Sequence, residues 1–240
     1  MEIRIFDDAA ELGLAAADIF AQTIKNNPSC VLGLATGASP VPTYNRLIEL
    51  YNAKEITFAD VRTFNLDEYC DLPKDDKNSY YTFMHQNLFN HVDIKEENVH
   101  ILDGNAADAE QEAAAFDAAI KAAGGIDIQL LGIGNNGHIG FNEPADAFTT
   151  GTFKVQLTES TLQANSRYFD ENPMPHYALT MGVGSIMDAK KIVLIATGPA
   201  KAQAIYNTVK GEVTPLVPAS ILQQHPDCIL LLDKAAAALL

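Results

Sequence analysis

Apolar runs of strand length alternate along this chain with longer stretches in which apolar residues recur at helical spacing. The strand-length runs are Cys30–Ala35, Val61–Asn65, Val99–Leu102, Ile126–Leu131, Lys191–Ala196 and Cys228–Leu232. The helix-length stretches are Ala9–Lys25, Pro42–Ala53, Ser79–Leu88, Ala107–Ala123, Pro199–Lys210 and Ala219–Gln224. Alternation of this kind is typical of an α/β protein, in which helices cross back over a mostly parallel sheet.

A single domain accounts for the chain, residues 1–240, because no repeat, charge block or linker divides it. We predict an α/β fold with a Rossmann-like open, mostly parallel sheet that carries helices on both faces. The polar, threonine-rich segment Phe148–Asn172 is the least regular part. We expect it to be a lid-like insertion over a site at the edge of the sheet.

Composition narrows the class of protein. With 48% hydrophobic and 20% charged residues the chain is globular, and its net charge of -15 disfavours binding to nucleic acid or anionic membranes. A small anionic substrate is still allowed, because only the local field of a few basic groups matters there. The start of the chain lacks the apolar run of a signal peptide, and no segment approaches a membrane span.

The three cysteines, Cys30, Cys70 and Cys228, are far apart and form no C-x-x-C pair. A disulfide framework or a zinc site is therefore not expected, and a reducing compartment suits the chain. Together with the composition, this predicts a soluble cytoplasmic protein.

A glycine-rich loop, Gly132–Pro144, follows the buried strand that ends at Leu131. Its first six residues match G-x-G-x-x-G, but a dinucleotide site needs a helix that opens on the third glycine. Here Gly137 is followed by His138, by another glycine and by Asn-Glu-Pro, which is a poor helix start. The loop is either a flexible connection or a ligand site. A histidine and Glu143, five residues apart at the carboxyl end of a strand, favour a site.

A second turn, Thr36-Gly37-Ala38-Ser39-Pro40, joins a strand to a helix. Free backbone N–H groups and the helix dipole make such a turn an anion site, although a plain capped turn is the alternative. We expect Ser39 to cap the helix and Pro40 to lie in its first turn. The Lys-Ser/Thr pair of a P-loop is missing, so a nucleotide triphosphate is not indicated.

Two basic residues favour the interpretation of this turn as an anion site. Lys201 lies in the first turn of the helix predicted from Pro199, where its charge opposes the dipole unless an anion lies beside it. Arg167 is alone in a polar stretch. Each alone is typical of a solvated surface charge, but with two glycine turns they suggest a phosphate clamp.

Two adjacent acids, Asp67 and Glu68, follow the strand that ends at Asn65. Such acids are usually loop residues. Alternatively, one of them is a general base whose pKa is adjusted by partial burial.

Six short segments follow one another over nearly the whole chain: Thr36–Pro40, Thr63–Tyr69, Asn78–Tyr81, Gly134–Pro144, Ala164–Phe169 and Tyr177–Gly184. In sequence and in order they resemble the glucosamine-6-phosphate deaminase (isomerase) family. The resemblance implies conversion of glucosamine 6-phosphate and water to fructose 6-phosphate and ammonia, with no cofactor and no metal. A small sugar phosphate would be the binding partner.

The resemblance also implies roles for particular residues. Asp67 would move a proton between C2 and C1, and His138 would open the pyranose ring. Asn136 and Glu143 would orient the histidine and tune its basicity. The substrate phosphate would be bound by Thr36, Gly37, Ala38, Ser39, Arg167 and Lys201.

Two departures from the family pattern matter. Some members carry Asp where this chain has Asn136, which cannot hold a negative charge, so Glu143 must supply any carboxylate support. Hexameric members with allosteric control have a longer C-terminus and several basic residues after the Asn-Glu-Pro segment. In this chain the corresponding stretch, Ala145–Gln156, contains a single basic residue, Lys154. We therefore expect no such control, and a monomer or weak homo-oligomer.

Three alternatives stay open. A 6-phosphogluconolactonase shares the fold and a glycine-histidine loop, but it hydrolyses an ester and would leave Asp67 without a role. A sensor of phosphosugars would normally carry a basic DNA-binding segment, and neither end of this acidic sequence provides one. An isomerase without deamination would share most of the chemistry and would release no ammonia.

Overall fold

The computed structural model describes residues 1–166, 169 and 173–240. Within them, the strands are β1 (Glu2–Phe6), β2 (Val31–Leu34), β3 (Arg62–Asn65), β4 (Asp67–Tyr69), β5 (Val99–His100), β6 (Ile128–Leu131), β7 (Phe153–Gln156), β8 (Tyr177–Thr180), β9 (Ile192–Ala196) and β10 (Cys228–Asp233). The α-helices are α1 (Ala9–Asn26), α2 (Val41–Asn52), α3 (Tyr80–Asn87), α4 (Ala109–Ala122), α5 (Glu159–Ser166), α6 (Val183–Met187) and α7 (Ala202–Lys210).

Seven strands form a parallel sheet in the order β1-β10-β9-β6-β2-β3-β5. Every residue of β2, β6, β9 and β10 is buried. Since successive side chains of a strand point to opposite faces, both faces of the sheet must be covered. The predicted α/β fold with an open, mostly parallel sheet and helices on both faces is confirmed.

Helix α1 shows how local sequence and packing agree. Asp8 caps the helix by accepting hydrogen bonds from the N–H groups of Ala10 and Glu11, at 2.8 and 3.0 Å. One face buries apolar side chains that include Phe20. At Gly13 a methyl group would lie 2.4 Å from the Pro42 side chain, so only glycine allows α1 to pack this closely on α2.

The order of strands creates a switch point between β2 and β6. After β2 the next strand of this sheet is β3, on one side, whereas after β6 the next strand of this sheet is β9, on the other side. Loops that leave two such neighbouring strands diverge and open a crevice at their carboxyl ends. The turn that begins at Thr36 and the loop that begins at Gly132 both lie at this crevice.

A second, antiparallel sheet of order β4-β8-β7 adjoins the first. Thr180 of β8 pairs with Asp67 of β4 on one side and with Phe153 of β7 on the other. This sheet therefore ties the segment Phe148–Asn172, which contributes β7 and α5, to the strand that carries Asp67. Its role as a lid stays a prediction.

Most predicted elements are present with shifted ends, and some predictions were wrong. The helix predicted at Ala219–Gln224 is a 3₁₀ helix, Pro218–Gln224, and the one predicted from Pro199 begins with a 3₁₀ turn. Ser39 does not cap α2, because Pro40 is the capping residue and makes no side-chain hydrogen bond. Across the described ranges no helix combines the length and apolar character needed to cross a bilayer.

Candidate active site

The turn Thr36–Ser39 forms one wall of a cavity of about 190 Å³ at the switch point. Gly37 has a φ of 95°, a backbone conformation that glycine adopts without strain. Asp67, Tyr80 and His138 line the same cavity. The structure therefore brings the predicted anion turn together with the two predicted proton-transfer groups.

Asp67 is buried in this wall, with 6% of its surface exposed. Burial, followed by the charge of Glu68, raises the pKa of Asp67 to about 8. The neighbouring Gly140 has a φ of 56°, and a methyl group there would lie 2.9 Å from the Thr180 hydroxyl oxygen. Glycine at this position leaves room in front of the carboxylate. Burial here is nearly complete, where partial burial was expected.

Glu68 points away from the cavity and has a different environment. Its carboxylate accepts hydrogen bonds from the backbone N–H groups of Tyr69, Tyr80 and Tyr81, at 2.8, 2.9 and 2.8 Å. Two of these donors belong to the first turn of α3. Burial outweighs these bonds and raises the pKa of Glu68. Glu68 therefore anchors α3, and of the two adjacent acids Asp67 is the one that faces the cavity.

The glycine loop is folded around the His138 ring. The N–H of Gly134 donates to the carbonyl of His138 at 2.9 Å, and the N–H of Gly137 donates to the carbonyl of Gly134 at 3.0 Å. A methyl group on Gly134 would lie 2.4 Å from His138 Cε1. The ring thus lies directly against the backbone, which explains why glycine is needed at position 134.

Glu143 lies behind the ring, with 8% of its side chain exposed. Its Oε2 atom is 3.3 Å from His138 Nδ1 and accepts a 2.6 Å hydrogen bond from Asn136 Nδ2. Its Oε1 atom accepts a hydrogen bond from the hydroxyl of Thr161. Burial alone would raise the pKa of this carboxyl group. The side chains of His138, Thr161 and Asn136 outweigh burial and hold the pKa of Glu143 at about 2.

Asn136 has a second contact that fixes the loop. Its Oδ1 atom accepts a hydrogen bond from the backbone N–H of His138 at 3.2 Å. The amide therefore bridges the histidine backbone and the Glu143 carboxylate. An asparagine does this as a neutral group, with its N–H₂ aimed at the negative charge.

The predicted phosphate ligands are only partly brought together. Lys201 lines a neighbouring cavity of about 370 Å³ with Asn136 and Thr161, and the turn Thr36–Ser39 lines the smaller cavity. His138 is among the residues that line both, so the two cavities adjoin. Arg167 lies outside the described residues.

Two polar residues of α5 that line the cavities were missed by the sequence analysis. Thr161 contacts Glu143, and Asn165 donates from Nδ2 to the hydroxyl of Tyr69 at 3.1 Å. They are four residues apart on α5 and therefore share a helix face. That spacing was visible in the sequence, but the polar segment gave no sign that a helix lay there. In the part of the chain that the structure describes, no three His, Cys, Asp or Glu side chains are grouped to hold a metal ion.

Comparison with known proteins gives a consistent result. The family model described as glucosamine-6-phosphate isomerases/6-phosphogluconolactonase matches residues 7–230. The chain is 52% identical over 241 aligned positions to the glucosamine-6-phosphate deaminase of Clostridium botulinum (strain Alaska E43 / Type E3), covering 100% of this chain and 97% of the relative. It is 50% identical to the enzyme of the same name from Clostridioides difficile (strain 630), covering 99% and 96%.

Solved structures are similar over the whole chain. A monomeric glucosamine-6-phosphate deaminase superposes with a TM-score of 0.97 at 43% identity, covering 100% of both chains. A 6-phosphogluconolactonase from Trypanosoma brucei superposes with a TM-score of 0.76 at 20% identity, covering 99% of this chain and 97% of the other. At 20% identity the second likeness shows a common fold and no more.

Proposed function

The chain is an enzyme of the glucosamine-6-phosphate isomerase/6-phosphogluconolactonase family, and we propose that it acts as a glucosamine-6-phosphate deaminase. The reaction is glucosamine 6-phosphate plus water to fructose 6-phosphate plus ammonia. One observation carries the proposal: an anion turn, a buried carboxylate and a histidine line a single cavity of about 190 Å³. Turnover of an amino-sugar phosphate requires an anion site for the phosphate and two groups for the proton transfers.

The reaction requires two separate proton transfers. The C2 proton becomes acidic only after the ring opens and C1 becomes a carbonyl. His138 takes the proton of the anomeric hydroxyl and returns one to the ring oxygen, as an imidazole can near neutral pH. Glu143 contacts Nδ1 of this imidazole at 3.3 Å, and Asn136 accepts a hydrogen bond from the backbone N–H of His138 at 3.2 Å, so the two residues fix the ring and the loop that carries it.

Asp67 then moves the C2 proton to C1. The C2–H electrons form the C1–C2 double bond of the enolamine while the π electrons of the C1 carbonyl move to its oxygen, which takes a proton and becomes the C1 hydroxyl. Protonation at C1 then leaves an imine at C2. Water attacks C2, and the nitrogen leaves as ammonia. The pKa of about 8 means that Asp67 holds a proton for much of the time at neutral pH before substrate binds. The ammonium group of an amino sugar beside it would favour the ionised carboxylate, which is the form that acts as base.

The phosphate group provides binding remote from the reacting carbons. The turn Thr36–Ser39 offers backbone N–H groups at the start of α2, and Lys201 adds a positive charge from the adjoining cavity. Arg167 is proposed as a further phosphate ligand on the strength of its motif alone.

Among the alternatives, a lactonase has no use for a buried base at the position of Asp67, and the relatives at about half identity are deaminases. An isomerase without deamination would give ketose without ammonia. The test is to incubate the protein separately with glucosamine 6-phosphate and with 6-phosphogluconolactone. Equal amounts of ammonia and fructose 6-phosphate support the proposal. Lactone hydrolysis without ammonia release would overturn it.

We further propose that the protein works as a monomer, in keeping with the monomeric deaminase to which it is 43% identical. The three cysteines are free and buried, which suits the reducing cytoplasm proposed as its location. Light scattering should give the mass of one chain, and turnover should follow a hyperbola. A sigmoidal curve relieved by N-acetylglucosamine 6-phosphate would contradict the absence of allosteric control.

A further inference from the structure

Thr161 is the donor to Glu143 that comes from outside the glycine loop. Its hydroxyl donates to Glu143 Oε1, whereas His138 and Asn136 both contact Oε2. Thr161 is 4% exposed, so its hydroxyl is largely shielded from bulk solvent. Each oxygen of this carboxylate thus depends on a different segment of the chain.

Helix α5 has a second polar attachment beside the cavity. Asn165 Nδ2 donates at 3.1 Å to the hydroxyl of Tyr69, which lies two residues beyond Asp67 on β4. Thr161 and Asn165 both line the cavity of about 370 Å³ that contains His138. The helix therefore contacts the neighbours of both groups that the proposed mechanism uses for proton transfer.

We propose that Thr161 is a positioning residue, whose hydroxyl fixes Glu143 and thereby orients His138 when α5 is docked. This inference rests on the proposed function, since His138 is the group that opens the sugar ring. It gives α5, the helix within Phe148–Asn172, a role in orienting the catalytic groups, in addition to the proposed role of the segment as a lid. Loss of the hydroxyl would leave Oε1 without its donor and the imidazole less firmly held.

The electrostatics of Glu143 agree with this role. The pKa of Glu143 is held at about 2 in part by the Thr161 hydroxyl, after the larger effects of burial and His138. Among the described residues, the titratable group that contacts the carboxylate and shifts its pKa is His138 of the glycine loop. Removing the hydroxyl should therefore raise the pKa of Glu143 toward its ordinary value of about 4.3.

Two substitutions separate the hydroxyl from the shape of the side chain. Thr161→Val keeps the shape and removes the donor, and Thr161→Ser keeps the donor and removes a methyl group. For Thr161→Val we expect kcat about tenfold lower with KM little changed, since one hydrogen bond to a charged group is lost. Thr161→Ser should restore most of kcat. Thr23→Val, in which the lost hydroxyl is bonded to the Ile19 carbonyl on remote α1, should match the wild type.

The same variants are followed by ¹³C NMR titration of the Glu143 carboxyl, assigned with Glu143→Gln. We expect its pKa to rise in Thr161→Val and to fall back in Thr161→Ser. Wild-type kcat in the valine variant, or a serine variant as impaired as the valine variant, would overturn the proposal. If the wild type itself releases no ammonia, the deaminase assignment is wrong. The titration alone then decides whether the Thr161 hydroxyl lowers the pKa of Glu143. An unchanged Glu143 pKa would then overturn the inference.

Discussion

Asn136 Nδ2 donates a hydrogen bond to Glu143 Oε2 at 2.6 Å. A neutral amide therefore faces the carboxylate at a position where an aspartate would bring a second negative charge. Asn136→Asp would place a second carboxylate, at a half-buried position, against the Glu143 carboxylate and raise the pKa of one of them. Ammonia release should survive, because Glu143 can still face His138. The free energy of unfolding should fall by about 1–3 kcal/mol between pH 5 and pH 8 relative to the wild type.

The direction of this pH dependence follows from proton binding. A carboxyl group whose pKa is raised by folding binds more protons in the folded state, so stability is lost as pH rises through that window. Urea unfolding at both pH values measures the effect. The matched control is Asn135→Asp, the same change at the adjacent exposed position. Equal pH dependence in the two variants would contradict the argument.

A second prediction concerns Asp67 and the pH dependence of stability. Its pKa is about 8 in the fold and about 3.9 in an unfolded chain, so the folded state retains a proton that the unfolded state has lost across this range. Wild-type stability should therefore fall as pH rises from about 4 to 8. Asp67→Asn removes this penalty, which is on the order of 5–6 kcal/mol above pH 8.

Chemical denaturation at pH 4 and pH 9 tests this prediction. Asp67→Asn should be the more stable protein at pH 9 and should differ little from the wild type near pH 4. Asp18→Asn, the same substitution at an exposed residue of α1, is the control and should follow the wild-type curve. A variant that is less stable than the wild type at pH 9 would show that the carboxylate is stabilised and not penalised by its surroundings.

A third prediction uses two glycines of one loop. A methyl group on Gly134 would lie 2.4 Å from the His138 ring, whereas one on Gly132 would have nothing within 4 Å. Gly134→Ala should displace the ring and lower kcat about 100-fold, the effect of moving a catalytic group by about 1 Å. Gly132 lines the same cavity, so Gly132→Ala controls for added bulk there; its turnover should fall less than that of Gly134→Ala, because its methyl group meets no protein atom. Equal turnover in both variants would show that the contact between ring and backbone has no catalytic role.

A fourth prediction separates binding from chemistry at Lys201. If this ammonium group contacts the phosphate in both the ground state and the transition state, Lys201→Ala should raise KM and leave kcat nearly unchanged. Inhibition by inorganic phosphate should weaken in parallel. Lys210→Ala, at the exposed end of the same helix, is the control. A large loss of kcat at constant KM would move Lys201 from phosphate binding to the reacting atoms.

The central sheet could be predicted from the sequence because its strands are continuous apolar runs, as in Ile128–Leu131. The second sheet could not. Strand β4 has three residues, and β7 alternates weakly between half-buried and exposed positions, so neither gives a periodic signal above that of a polar loop. Edge strand β1 was missed since most of its residues are exposed.

The candidate site was likewise predicted from the sequence only in part. Glycine loops after buried strands pointed to His138 and to the turn at Thr36, because chain geometry alone places such loops at one edge of a sheet. The local residue pattern did not decide between Asp67 and Glu68, and only the family resemblance pointed to Asp67. That choice depends on which face of the short strand β4 meets the cavity. Thr161 was missed because its contact with Glu143 joins residues 18 apart through tertiary packing.

The central claim is that Asp67 moves the C2 proton after His138 has opened the ring. The most direct measurement is the release of ammonia and fructose 6-phosphate from glucosamine 6-phosphate by the wild type and by folded Asp67→Asn. The account predicts equal amounts of the two products from the wild type, and a rate lower by about 10²–10⁴ in the variant. Undiminished ammonia release by Asp67→Asn would contradict it.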